Sequence, residues 1–564
     1  MMRKTALAVS VAVAFAALVA FPGASSVPVR AKKGMVISAN AMASQIGAEV
    51  LKEGGSAVDA AVATAFALAV VHPSAGNIGG GGFMIVRTAS GAAAAYDFRE
   101  MAPSASSPTM FLNAGKYDAD LHHNSYLSIG VPGTVAGLHL AWTEHGKLPW
   151  KRLVDPAVKL ARDGFPISVA LARSLAGTIP QFKRSPAALA QFSKKGEPYE
   201  AGELLRLPDL ARTLLRIADK GAAGFYQGET AELIAADMNA HGGLITLDDL
   251  RNYQAKRRDP LRGTYRGYEV LSMPPPSSGG TALVEMLNVL EGYDLKASGF
   301  GSADTIHLVA ESMRRAYADR AQNMGDADFN PPLPIDRLTS KDYAAALRKT
   351  ISRTRASKSS PTSFMWPTES NETTHLSIVD EQRNAVSMTF TLEGGFGSRM
   401  VVSGAGFLLN NEMGDFNAGP GLTTAEGLIG TPPNMAAPGK RMLSSMSPSI
   451  LAKDGTLAMV TGTPGSRTII NTVLLTILNV VDFGMNAQEA VDAGRFHHQW
   501  LPDRITYEKY AFSPDTVSIL KARGHDLREA DAQGVAEVIV VDPGAGVLEG
   551  GLDRRQADGG VAVR

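Results

Sequence analysis

Two short stretches of the chain place hydroxyl groups where they could attack or hold a carbonyl compound. Between Thr373 and Leu392 apolar and polar residues alternate in two arms, with Leu376 and Ile378 apolar in the first and Val386, Met388, Phe390 and Leu392 in the second. Cross-strand partners share a face of a sheet. A turn at Glu381, Gln382 and Arg383 that keeps the apolar residues of both arms together therefore sets Thr373 directly opposite Thr391. A slip by one residue would send the apolar arms to opposite faces. The second stretch, Ser447 to Ala452 and Thr456 to Thr461, flanks Asp454-Gly455, a strong hairpin-turn signal. Pairing Lys453 with Thr456 and extending the ladder brings Ser444 and Ser445 beside Pro464 and Gly465. Paired hydroxyls can bind a carboxylate, and the backbone N–H groups of a Pro-Gly-Ser turn can receive an oxyanion. Both are tools of acyl transfer, although two ordinary hairpins with polar ends carry the same pattern.

The surrounding chain narrows the chemistry. Its 564 residues are 45% hydrophobic and 20% charged, enough for a large globular body. Lys and Arg number 55 and so do Asp and Glu, so no net field favours nucleic acid. Cysteine is absent, which leaves oxygen or nitrogen as the nucleophile. Met1, Arg3 and Lys4 precede an apolar run from Ala6 to Phe21 and small residues up to Ser26, which reads as a secretory signal over residues 1–26. That signal predicts a periplasmic or secreted protein with no membrane attachment after its removal.

Ala41 to Val71 predicts two buried helices. Gly79 to Gly82 predicts a bend into an apolar strand, drawing on glycine's tolerance of positive φ; the run lacks the Lys and Ser or Thr of a phosphate loop. His307 to Asp319 predicts a helix with Arg314 and Arg315 on its outer face, and the Lys-, Arg-, Ser- and Thr-rich span from Arg348 to Ser363 predicts a mobile connector. The adjacent pairs His497-His498 and His122-His123 lack metal-site spacing, and no Gly-x-Ser-x-Gly elbow is present. Neither a metal nor another cofactor is expected.

The runs Glu372-Thr373-Thr374-His375, Leu408 to Phe416 (LLNNEMGDF) and Leu443 to Pro448 (LSSMSP) are similar to those of the γ-glutamyltranspeptidase family. Asp97-Phe98-Arg99-Glu100, the glycine run at Gly79, Gly130-Val131-Pro132-Gly133, Pro274 to Gly280 and Phe496 to Trp500 extend the resemblance from about Gly34 to the C-terminus. It implies an α+β fold, the four-layer αββα sandwich of N-terminal-nucleophile hydrolases. That fold would be built jointly by a large subunit, 27–372, and a small subunit, 373–564, cut from one precursor between Glu372 and Thr373. Thr373 would be the nucleophile, with its freed α-amino group as base, and Thr391 would orient it. Gly465 and Ser466 would supply oxyanion N–H groups.

By the same resemblance Arg99, with Ser444 and Ser445, would hold the substrate α-carboxylate, while Glu393, Glu412 and Asp415 would hold its α-ammonium. The partners would be glutathione and other γ-glutamyl compounds, amino-acid or peptide acceptors, and water. Some relatives carry Asn where this chain has Glu393, and many have a second glycine where it has Ser466; an aromatic gate of some members is absent at Glu426, in a segment resembling the family's lid, Asn417 to Lys440. Two alternatives are a glutaryl-cephalosporin acylase of the same family and a catalytically idle exported binding protein for γ-glutamyl peptides. Three carboxylates facing no cation would be costly with a glutaryl group, which favours the γ-glutamyl substrate.

Overall fold

A computed structural model describes residues 26–330, 332–359, 373–422 and 430–564. The secretory signal, Glu372 and Glu426 lie outside the described residues, apart from Ser26 at the signal's end. Among the described residues no helix is long and apolar enough to cross a membrane.

Thr373–Val379 and Ala385–Thr391 pair antiparallel in the predicted register, Thr373 opposite Thr391 and Val379 opposite Ala385. They are central in a seven-stranded sheet ordered Gly560–Val563, Met35–Ser38, Thr373–Val379, Ala385–Thr391, Gly81–Arg87, Ala93–Phe98 and Lys256–Arg258. A second seven-stranded sheet runs Val29–Ala31, Leu548–Leu552, Glu537–Val541, Thr456–Gly462, Ser449–Lys453, Tyr268–Ser272 and Leu261–Tyr265.

Alternation decides what each face meets. Leu376, Ile378, Val386, Met388 and Phe390 share one apolar cluster with the helices Ala41–Lys52 and Ala57–Val71. The second of these is buried at every position, because it has no polar face to offer solvent, and Ser56 and Asp59 close a capping box at its start. The opposite face turns toward the second sheet: Met35, Ile37, Phe83 and Ile85 pack with Leu271, Ile450, Val460 and Ile539. Ser377 and Ser387 bridge the same space, donating to the carbonyls of Glu537 and Thr461 at 2.8 and 2.9 Å. Val270, Leu451, Met459 and Val538 cluster with the helices Gly279–Leu290, Ala303–Asn323 and Thr468–Val481.

Four expectations are corrected. None of Gly79 to Gly82 has a positive φ. Glycine is required there by close approach, since a Cβ on Gly79 would lie 2.1 Å from the Leu408 carbonyl oxygen and one on Gly80 2.0 Å from that of Thr391. In the second hairpin Lys453 does oppose Thr456, but a bulge between Leu451 and Ala452 shifts the register by one, and the strand begins at Ser449. Ser444 therefore leaves that ladder and bridges Ser277.

Arg314 is buried rather than outward-facing, and Arg315 is largely covered. The reason is also the fourth correction: the span after Arg348 is not a loose connector as far as Ser359. His307 Nε2 meets the Ser352 carbonyl at 2.6 Å, the Ser357 N–H donates to Glu311 at 3.0 Å, and Arg314 Nη1 donates to Ser359 Oγ at 2.6 Å. Polar residues that read as solvated are consumed by one another. Residues 360–363 lie outside the described residues.

Candidate active site

Thr373 begins its strand, and its Oγ1 donates to Thr391 Oγ1 at 3.4 Å. Thr391 Oγ1 also accepts the Glu393 N–H at 2.9 Å, in a turn where Glu393 takes φ 74°. Asn77 fixes this corner, donating to the Thr391 carbonyl at 2.9 Å while accepting the Gly80 N–H at 3.0 Å. Glu393 is bound by Asn411 Nδ2 and lies 3.4 Å from His123 Nδ1.

Arg99 follows the strand Ala93–Phe98 and is fully buried. Its backbone N–H donates to Asp97 Oδ1 at 3.1 Å, and Asp97 Oδ2 is held by Arg258 and Arg441 at 2.8 and 2.7 Å. Its guanidinium donates through Nη1 to Glu412 and through Nη2 to Asp415, with Nε on the Met442 carbonyl at 3.2 Å. The turn Glu412–Asp415 is set by Asn410, which accepts the Glu412 and Gly130 N–H groups at 3.0 and 2.9 Å and donates to the Gly79 and Gly130 carbonyls, each at 2.8 Å. The quoted glycine runs thus converge on one asparagine. Residues expected to grip opposite ends of a substrate grip one another here.

A third carboxyl, Glu100, lies 3.6 Å from Arg99 Nη1. Burial pushes it up to about 8, partly offset by Arg99, and it pushes Glu412 well above the ordinary carboxylate range against the same pull. Because the folded value for Glu100 exceeds the ordinary 4.5, its contribution to stability is complete below about pH 4.5 and is lost as pH rises through about 8. Glu100→Gln is accordingly expected to flatten the fall in thermal midpoint between about pH 5 and 8. Melting curves across that range check this, and a slope equal to the wild type's would refute it.

Ser444 and Ser445 lie across the pocket. The Ser444 carbonyl accepts Ser278 N–H at 2.8 Å and Ser278 Oγ–H at 2.6 Å, and Ser445 Oγ accepts from Arg320 Nη2 at 2.9 Å. Arg99, Thr373, Thr391, Glu393, Glu412, Asp415, Ser444, Ser445 and Ser466 line a single pocket open to solvent, with about 320 Å³ of empty space counting its mouth and with Met446 and Ile469 as its apolar wall. Gly465, at φ 130°, precedes Ser466 without lining the pocket. Of the predicted site residues only Glu372 is undescribed. Sequence reasoning missed Asn77, Asn410, Asn411 and Arg320, and weighed His123 only as a metal ligand; Asn410 and Asn411 lay inside a quoted motif, whereas no local signal marked Asn77 or Arg320.

His307, Glu311 and His525 gather donor atoms within 4.8 Å of one another. His307 Nδ1 meets His525 Nε2 at 2.7 Å, and both Glu311 oxygens are taken by Arg314, Arg315 and Ser357. Two guanidiniums beside Glu311 disfavour a cation there. His497 and His498 diverge as expected, toward Asn471 and toward the Trp500 N–H.

The fold is shared with acyl-group enzymes. It matches the crystal structure of a cephalosporin acylase from Bacillus halodurans with a TM-score of 0.83 at 28% identity, over 97% of this chain and 98% of that one. It also matches the γ-glutamyltranspeptidase of Helicobacter pylori with a TM-score of 0.55 at 48% identity, over 56% of this chain and 91% of that one. The family profile described as Gamma-glutamyltranspeptidase matches residues 43–563. The glutathione hydrolase proenzyme of Escherichia coli (strain K12) is 48% identical over 538 residues, 94% of this chain and 92% of its own. The chain belongs to the γ-glutamyltranspeptidase family.

Proposed function

We propose that the chain is a self-processing γ-glutamyltransferase and glutathione hydrolase with Thr373 as its nucleophile. The observation that carries this reading is a strand-initial threonine, opposed by a second threonine, facing a buried arginine ringed by carboxylates across one small pocket. In the precursor the Thr373 hydroxyl attacks the Glu372 carbonyl, and water hydrolyses the resulting ester to free the Thr373 amine. Subunits 27–372 and 373–564 then share the two-sheet body as a four-layer αββα sandwich. In support, a solved family chain is spanned by little more than half of this one. A signal over residues 1–26 would export the product to the periplasm or medium.

The freed amine has an ordinary pKa near 7.7–8.0, so near neutral pH much of it is unprotonated and can take the proton of its own hydroxyl. Thr373 Oγ1 adds to the γ-carbonyl of the substrate, and the new oxyanion is received by the Gly465 and Ser466 N–H groups. Collapse returns the proton to the leaving amine and leaves a γ-glutamyl ester. Water or an acceptor amine then attacks that ester. A zwitterion entering the pocket would exchange ion pairs: its carboxylate replaces Glu412 and Asp415 on Arg99 and meets Ser444 and Ser445, while its ammonium takes up the released carboxylates and Glu393. Exchange of existing pairs avoids desolvating a new unpaired charge. Thr391→Val keeps the shape of that side chain but removes the acceptor for the Thr373 hydroxyl and the Glu393 N–H. It is expected to lower kcat roughly 10- to 100-fold with little change in KM, read by steady-state kinetics.

N-terminal sequencing of the small fragment, with turnover of L-γ-glutamyl-p-nitroanilide, tests the whole reading. A fragment beginning anywhere but Thr373, or a single chain that is fully active, would overturn it. An uncut, inactive wild type would instead favour the exported binder. The close match to a cephalosporin acylase fold keeps one enzymatic rival, a glutaryl acylase. A glutaryl carboxylate on Arg99 would displace Glu412 and Asp415 and bring no ammonium to receive them, so the charge objection to glutaryl substrates stands. Relative turnover of glutaryl and γ-glutamyl anilides decides between them.

A further inference from the structure

A serine hydroxyl has one proton and two lone pairs, so whatever donates to it decides where its own proton can go. Ser445 lines the pocket, and its Oγ accepts from Arg320 Nη2 at 2.9 Å. Arg320 sits in the last turn of Ala303–Asn323, is 3% exposed, and is not among the pocket-lining residues. Its Nε donates to Ser278 Oγ at 2.7 Å, and that hydroxyl donates to the Ser444 carbonyl at 2.6 Å. Ser444 Oγ in turn accepts the Met446 N–H at 3.1 Å. A guanidinium has only donors and does not deprotonate, so the direction of this chain cannot reverse.

We propose that Arg320 is a positioning residue for the carboxylate end of the substrate. It occupies a lone pair of Ser445, forcing that hydroxyl to donate into the pocket, and it fixes the Ser444 main chain through Ser278. The inference rests on the functional reading above, in which these serines meet a carboxylate. It adds a residue that touches no substrate and reads out at one end of the ligand only. Glutarate and L-glutamate share that carboxylate and differ in the ammonium, so losing Arg320 weakens both equally.

The test uses the full processed protein. Arg320→Met is expected to mature normally, to raise KM for L-γ-glutamyl-p-nitroanilide roughly 10- to 50-fold, and to leave kcat within about threefold. Calorimetric titration with L-glutamate and with glutarate is expected to show the same factor of weakening for both. In a Ser445→Ala background the further change on Arg320→Met falls to severalfold, the part carried through Ser278, because the hydrogen bond to Ser445 is already gone. Equal effects in both backgrounds, or a fall in kcat at constant KM, would overturn the assignment.

Should Arg320→Met fail to fold, Arg320→Lys and Ser278→Ala carry the test. Lysine keeps the charge but cannot serve both hydroxyls, and Ser278→Ala removes one anchor; each is expected to raise KM severalfold, and an unchanged KM in both refutes the proposal. A wild type that bound neither acid would sink the reading of the pocket itself, a different result from a wild type that binds both and is indifferent to Arg320.

Discussion

Thr373→Ala is expected to remain one uncut chain and to hydrolyse L-γ-glutamyl-p-nitroanilide at least on the order of 10⁵-fold more slowly than the wild type. Two losses coincide. Without Oγ1 nothing attacks the Glu372 carbonyl, so no new N-terminus forms; without that terminus the pocket has neither nucleophile nor amine. Stability should barely move, because the side chain contributes one methyl and a long hydrogen bond of 3.4 Å, so the cost stays within about 1 kcal/mol. Thr373→Ser separates the parts. It retains the hydroxyl and the amine but loses the β-methyl that restricts χ1, so it should still cut itself and turn over substrate, more slowly in both steps. Gel electrophoresis, thermal melting and initial rates on the three proteins suffice. Normal maturation of Thr373→Ala into two fragments would end the proposed mechanism.

Arg99→Met should give the second-largest effect, on stability and on activity together. Arg99 is the cation shared by Glu412, Asp415 and the more distant Glu100, all three within its reach. Removing one partner of a buried ion pair typically costs about 3–5 kcal/mol, because the other is left charged without compensation. The stranded carboxyls respond by holding protons to higher pH. The destabilisation relative to wild type should therefore grow between about pH 5 and 8, a higher window than for a lost pair of depressed pKa. Any folded fraction should show kcat/KM lowered on the order of 10²–10⁴, since two charge-assisted hydrogen bonds to the substrate carboxylate disappear. Arg99→Lys restores charge but not the fork, and is expected to recover more stability than activity. Melting curves at two pH values, with kcat/KM for the same anilide, check both halves. An unchanged melting temperature and KM in Arg99→Met would show that Arg99 does neither job.

The hairpin carrying Thr373 was legible because one of its faces is buried under helices: a period-two pattern with one apolar side permits a single register, and that register puts Thr391 opposite. The all-apolar helix Ala57–Val71 was legible for a similar reason. Local periodicity did not reach the bulge between Leu451 and Ala452, which breaks the ladder expected to carry Ser444 and Ser445. They still arrive at the pocket, brought there by the Ser277–Ser278 turn instead.

Motif resemblance brought Arg99, Glu393, Glu412 and Asp415 forward as a group, but not the fact that Arg99 is bonded to two of them. The amino-acid sequence by itself thus determined which residues alternate, where the two threonines meet, and that no thiol could do the chemistry. Only the tertiary structure decided why Gly79 and Gly80 admit no side chain, why Arg314 is buried, and that Arg320 stands behind Ser445. Periodicity reports how a segment divides itself between core and solvent. The partner of a buried charge or a crowded backbone comes from segments far away along the chain, and its identity enters only when the sheets and helices are packed together.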